Sequence, residues 1–296
     1  MFKGIFTALV TPLKNNTVDI SALGHLVDRQ IKAKVQGLVV CATTGEGAVL
    51  NADERQMVID FIKKRIGDKT KLIVGISDIA TWKAGESANI AANLGADGVL
   101  VAAPSYVKPS QDGLYAHYAS IADQSPVPVI LYNVPSRTVS DIKPVTVARL
   151  APHENIVAIK EATGSLERAQ KIIAAANGNL NILSGDDPST VSILVAGGHG
   201  VISTGANVVP SKWTDLWQHW KHGDVVAAAT VQAGLLGLHE ALFLESNPGP
   251  AKAALNLLGL IEPEIRLPLT WPSRPTTFRL AAELENLGLS VKGRTR

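Results

Sequence analysis

The apolar residues of this chain gather into short runs, bounded by turn-forming residues, that recur roughly every 20 to 35 positions. Eight stand out: Ile5 to Val10, Gly37 to Cys41, Lys71 to Gly75, Gly98 to Ala102, Pro128 to Tyr132, Ile156 to Lys160, Asn181 to Leu183 and Gly200 to Ser203. That interval suits strand-loop-helix-loop units and is too long for hairpins. Between the runs the apolar period lengthens, predicting helices over about Ser21 to Lys34, Thr81 to Leu94, Gln111 to Ala122, Pro144 to Leu150, Leu166 to Ala176 and Pro188 to Val195. A further helix opens at Asn51 as N-cap, with Glu54 as its capping-box partner, an apolar stripe of Val58, Phe61, Ile62 and Ile66, and Lys63, Lys64 and Arg65 at its cation-favouring end.

Eight strands alternating with helices imply a closed (β/α)8 barrel, an α/β TIM barrel, over residues 1–223. Ser211 to Lys221 completes it as the eighth helix. Residues 224–296 carry helical patterns without strands, at Val225 to Leu244, Pro250 to Leu258 and Thr276 to Leu287, punctuated by Asn247-Pro248-Gly249-Pro250 and a proline-rich stretch from Pro263 to Pro275. They predict a small C-terminal helical appendage.

Length and composition narrow the function. With 296 residues, 46% of them hydrophobic, the chain can bury a large core as one domain. Its 28 basic and 26 acidic residues, net +2, are spread along the sequence, so no basic block points to nucleic acid or an anionic membrane. A single cysteine, Cys41, excludes an intrachain disulfide and a multi-cysteine zinc site, and its apolar neighbours predict a core position in a reducing cytosol. The apolar run before Pro12 is too short for a signal core and no segment reaches membrane-spanning length, so the expectation is a cytoplasmic protein.

In such barrels the chemistry collects at the carboxyl ends of the strands, whose loops surround one mouth. The sixth run delivers Lys160 there, followed by Glu161-Ala162-Thr163-Gly164. Lysines at strand ends commonly just reach water with the head group. One walled by apolar side chains, however, loses the hydration that favours its charged form and becomes a candidate amine nucleophile for ketones. The second strand ends in Thr43-Thr44-Gly45-Glu46-Gly47, whose hydroxyls and turn N–H groups suit a carboxylate. Tyr106 follows strand four, Tyr132 ends strand five and Arg137 lies just beyond it. Taken singly, a tyrosine is a core residue, an arginine a solvated charge and a pair of glycines a turn. Gathered at one mouth they suit 2-oxo-acid chemistry through an imine on Lys160. Tyr132, a poor base on its own at neutral pH, would pass protons through Thr44 and Tyr106, and Arg137 would clamp a second carboxylate. Asp187 before Pro188 reads as an N-cap and not a metal ligand; His219 and His222 are a weak zinc signal, and no metal is assigned.

Thr43 to Glu46, Tyr106 with Pro109 to Gly113, Leu131 to Thr138, Ile159 to Gly164, Ser184 to Pro188 and Gly197 to Ser203 together resemble the dihydrodipicolinate synthase family, over nearly the whole chain. The lysine with Glu-Ala-Thr-Gly marks the wider pyruvate-dependent aldolase superfamily, and Tyr132 to Thr138 looks like the synthase branch. The resemblance implies a covalent imine between Lys160 and pyruvate with no separate cofactor, Thr43 and Thr44 holding the pyruvate carboxylate, and Tyr132 shuttling protons. It further implies Tyr106 acting from a neighbouring subunit, Arg137 binding the carboxylate of aspartate semialdehyde, and the Gly185 and Ile202 backbones shaping the pocket. The product would be hydroxy-tetrahydrodipicolinate, on the path to lysine, made by a homotetramer of tight dimers.

Where lysine-inhibited members carry tyrosine, asparagine, glutamate and histidine, this chain has Ser105, Ile79, Lys83 and Arg55. Weak or absent feedback by lysine is therefore expected. Rival readings are another pyruvate-imine aldolase acting on a sialic acid or a 2-keto-3-deoxy sugar acid, a phosphosugar barrel, and a silent binding module. Arg137 in its loop disfavours the first, and the second leaves Lys160 and the tyrosines without a joint role.

Overall fold

Each of the eight apolar runs enters one parallel sheet that closes on itself in the computed structural model, which describes residues 2–292. The barrel strands are β1 (Gly4–Ala8), β2 (Gly37–Val40), β3 (Lys71–Ile76), β4 (Gly98–Ala102), β5 (Val129–Asn133), β6 (Ile156–Glu161), β7 (Asn181–Ser184) and β8 (Gly200–Ser203). They pair in sequence order, and β1 closes the ring by pairing with both β2 and β8. The eight-stranded barrel read from the hydrophobic spacing is the fold. Outside that pattern, Leu13–Lys14 and Thr17–Val18 form a small antiparallel hairpin.

Alternation along the strands divides the core in two. Phe6, Val39, Ile73, Leu100, Ile130, Tyr132, Ala158, Leu183 and Ile202 point inward and fill the barrel. Their neighbours, such as Leu38, Leu72, Val99, Leu131 and Ile159, point outward under the helices.

Two helices begin and end where their sequence predicts, Pro144–Leu150 and Leu166–Ala176. Ala52–Ile66 has the full capping box between Asn51 and Glu54 and its three cations in the last turn. Its buried stripe is Val58, Ile59, Ile62 and Ile66, so Ile59 takes the core position expected for Phe61, which is only partly buried. Cys41 is buried, and loss of water pushes its thiol up to about 11.

The appendage corrects one expectation. Val225 to Leu244 is not one helix: it breaks at Leu235 into Val225–Gly234 and Leu236–Leu242, bent by 47°. Beyond the bend Leu238, His239 and Leu242 are buried, with His239 stacked on Trp213 of the helix Pro210–Lys221. Among the described residues no single helix is long and apolar enough to cross a membrane. Gly249–Leu257 and Arg274–Asn286 complete the appendage; residues 293–296 of the predicted extension lie outside the described residues.

Candidate active site

Lys160 faces the barrel interior because it stands two residues beyond the inward-pointing Ala158 on β6. Only 6% of it is exposed. Tyr132 is its direct partner in the β5–β6 register, and the Lys160 Nζ lies 4.5 Å from the centroid of the Tyr132 ring. Among the described residues no carboxylate pairs with that amine, so it is not held as one half of an ion pair. Gly185, just after β7, makes room for the lysine stem: a Cβ there would stand 2.9 Å from Lys160 Cε and 2.6 Å from the Ala162 Cβ.

The turn after β2 forms the opposite wall. Gly47 lets it fold back on the strand end, since a Cβ would meet the Cys41 carbonyl oxygen at 1.8 Å. Thr43 is half-buried and lines, with Tyr132, Gly75 and Leu100, a small cavity of about 20 Å³. Thr44 is buried, and its Oγ1 accepts from the Asn247 Nδ2 at 2.9 Å. Glu46 is held by the C-terminal appendage. Its carboxylate takes a hydrogen bond from the Lys252 ammonium at 2.5 Å and another from the Arg266 backbone N–H at 3.1 Å.

Arg137 lies on the four-residue helix Pro135–Thr138 that follows β5. It is exposed, and its Nη2 reaches the Asn247 carbonyl at 3.4 Å, which leaves most of the guanidinium free. Behind Lys160, the buried Glu161 carboxylate accepts from Asn133 Nδ2, from the Thr163 N–H and from Arg168 Nε, each within 3.0 Å. Arg168 also pairs with Asp141. This network fixes the chain on either side of the lysine.

At the ends of β7 and β8, Ile202 is buried in the barrel interior with Leu183. The N-cap here is Asp186, whose carboxylate accepts from the Ser189 N–H, and not Asp187 as the sequence suggested. With proline at the next position either aspartate fits a capping pattern. Asp187 is drawn instead into the core, where it accepts from the Gly205 N–H at 2.7 Å. Burial holds its carboxyl above the usual range, offset in part by His239 and by that hydrogen bond.

The structure thus brings Lys160, Tyr132, Thr43, Thr44, Gly185 and Ile202 to one end of the barrel, with Arg137 at its rim. Tyr106 stands apart within the subunit. It is 91% exposed, with a positive φ of 67°, on the loop after β4. Sequence reading missed Asn247, Lys252 and the Glu161–Arg168 pair. Asn247 and Lys252 reach residues more than 200 positions away, for which a local pattern carries no signal. Among the described residues no three His, Cys, Asp or Glu side chains are grouped to hold a metal ion.

The profile of the dihydrodipicolinate synthetase family matches residues 1–286. The chain is 42% identical over 289 residues to the 4-hydroxy-tetrahydrodipicolinate synthase of Magnetococcus marinus, covering 98% of this chain and 99% of the relative. It is 43% identical to the synthase of the same name from Geobacter sulfurreducens, again covering 98% of this chain, and all of the relative. The crystal structure of dihydrodipicolinate synthase from Aquifex aeolicus superimposes with a TM-score of 0.96 at 38% identity, covering 99% of this chain and 100% of that one.

Proposed function

The chain belongs to the dihydrodipicolinate synthetase family, and on that premise we propose that it condenses pyruvate with L-aspartate 4-semialdehyde to give 4-hydroxy-tetrahydrodipicolinate. The observation that carries this reading is the buried, carboxylate-free amine of Lys160 seated over the Tyr132 ring at the barrel mouth. The Lys160 amine adds to the pyruvate ketone, and the carbinolamine expels water to leave a protonated imine. That cation is an electron sink, so the adjacent methyl loses a proton and an enamine forms. The enamine carbon attacks the semialdehyde carbonyl, whose oxygen takes up a proton. The substrate's own amine then adds to the imine carbon and displaces Lys160, closing the ring with net loss of one water.

In this scheme Tyr132 and Thr44 carry the protons, with Tyr106 completing the relay from a second subunit; the exposure of Tyr106 within its own subunit supports that use. Thr43 and Thr44 hold the pyruvate carboxylate, the backbones of Gly185 and Ile202 shape the pocket, and Arg137 binds the carboxylate of the semialdehyde. The imine on Lys160 takes the place of a separate cofactor. The working assembly is a homotetramer built from dimers, in the cytoplasm, serving diaminopimelate and lysine synthesis.

Feedback by lysine is weak or absent in this reading. A cleft of about 490 Å³ beside β3 is lined by both Arg55 and Lys83, cations that oppose an ammonium effector, with Glu86 and Asp78 as the counter-charges. Asp78 is already engaged with Lys83 at 3.6 Å.

The test is pyruvate consumption by purified protein, with aspartate semialdehyde or N-acetylmannosamine as acceptor, beside Lys160→Ala. Semialdehyde-dependent consumption that vanishes in the variant is expected. Borohydride trapping of pyruvate on Lys160 without turnover of the semialdehyde would keep the imine chemistry and overturn the acceptor.

A further inference from the structure

Asn247 combines three features that no local role explains. The residue is 6% exposed, although it opens a turn rich in proline and glycine. Its Nδ2 donates to Thr44 Oγ1 at 2.9 Å, while its buried Oδ1 has no hydrogen-bond partner among the described residues. Its backbone carbonyl accepts from Arg137. A buried side-chain amide that spends its N–H on a threonine hydroxyl 203 positions away, at a strand end of the barrel, calls for an explanation in function. Turning the amide over would leave its nitrogen bare instead, so one end stays unpaired in either orientation.

The orientation present decides what Thr44 can do. A threonine hydroxyl has one proton and two lone pairs. With a lone pair occupied by the Asn247 N–H, that proton is directed away from Asn247. We propose that Asn247 is a positioning residue for the condensation: it makes Thr44 a hydrogen-bond donor toward the barrel mouth, on the side where Tyr132 and Lys160 meet. This rests on the proton relay proposed above. The placement is delivered from outside the barrel, because Asn247 precedes Gly249–Leu257, the helix that carries Lys252 to its buried pairing with Glu46 in the same turn as Thr44. Through Asn247 the appendage takes part in the site.

Asn247→Asp removes the N–H donor at almost unchanged shape and obliges Thr44 to turn its proton onto the new carboxylate. We expect kcat to fall about 10- to 100-fold at pH 8 while borohydride trapping of pyruvate persists and the KM for pyruvate stays within about threefold. Below about pH 5 the new carboxyl becomes protonated and can donate again, so kcat relative to the parent recovers. A purely structural role would not produce that recovery. Combined with Thr44→Val, the substitution adds little further loss, since both act on one hydroxyl.

Parental kcat in Asn247→Asp beside an impaired Thr44→Val would overturn the role of Asn247 alone. Parental kcat in Thr44→Val would overturn the relay, and this inference with it. Losses that multiply in the double variant would show independent actions and overturn the inference. If the aspartate variant does not fold, Asn247→Ala with and without Thr44→Val supplies the same cycle, with the same two outcomes.

Discussion

Lys252 Nζ and Glu46 Oε1 meet at 2.5 Å in an ion pair from which water is excluded, with the two side chains 0% and 1% exposed. The pair joins the appendage to the turn that carries Thr43 and Thr44. Burial alone pulls the Lys252 ammonium below its ordinary range, and the adjacent Glu46 carboxylate opposes that pull. Removing one partner strands the other charge in the core, a loss of about 3–5 kcal/mol, whereas replacing both with apolar groups costs far less. Lys252→Met is therefore expected to lower the urea midpoint sharply and Lys252→Met/Glu46→Leu to recover most of it. Equal losses in the single and double variants would refute the argument.

Gly185 tests the space under the Lys160 amine. The Cβ of an alanine there would stand inside the contact distance of both Lys160 Cε and the Ala162 Cβ, so the lysine stem or the turn must give way. A displacement approaching 1 Å of a reacting group costs on the order of 100-fold in rate. Gly185→Ala should lose that much kcat/KM for pyruvate, with slower borohydride trapping and little change in thermal midpoint. Unchanged trapping would show that the stem has room to move.

A pH dependence of stability follows from His117. Its Nδ1 meets the Thr81 hydroxyl at 2.9 Å, its buried Nε2 has no partner among the described residues, and burial holds its imidazole at about 4. The unfolded chain takes up a proton on this residue near pH 6.5, which the folded protein refuses until about pH 4. Between those values the unfolded state binds more protons, so stability falls as pH falls, by about 3 kcal/mol across the window. His117→Phe keeps a ring against Tyr118 and removes the titration. Its urea midpoint should fall less between pH 6.5 and 4 than that of the parent chain, and parallel curves would exclude His117 as the source.

How much of this was legible in the sequence depends on how far each interaction reaches along the chain. The strand runs, the Asn51 capping box and the period-two step from Ala158 to Lys160 are local, and they placed the barrel and its lysine at the mouth. Tyr132, Thr44 and Arg137 followed because a strand end is a position as well as a pattern. Val225 to Leu244 is apolar on several sides, so its periodicity carried no mark of the break at Leu235. Asn247 was hidden more thoroughly. In sequence it belongs to a run of turn residues that reads as a linker, and only the closed fold brings it to Thr44, 203 positions away.

Tyr106 carries the sharpest test of assembly. At 91% exposure its ring is left unpacked within its own subunit, and in the proposed relay it serves a partner's Lys160. Tyr106→Phe and Lys160→Ala should each be nearly inactive alone. In a mixed dimer the Lys160→Ala subunit still offers its tyrosine to the intact lysine of the Tyr106→Phe subunit, so one of the two sites is complete. Random reassortment of equal amounts after dissociation should restore about a quarter of parental activity, since half of the dimers are mixed and each has one working site. The recovery should need subunit exchange and fail when the two variants are mixed without it. Absence of recovery after proven exchange would place Tyr106 in its own subunit's chemistry or outside the reaction.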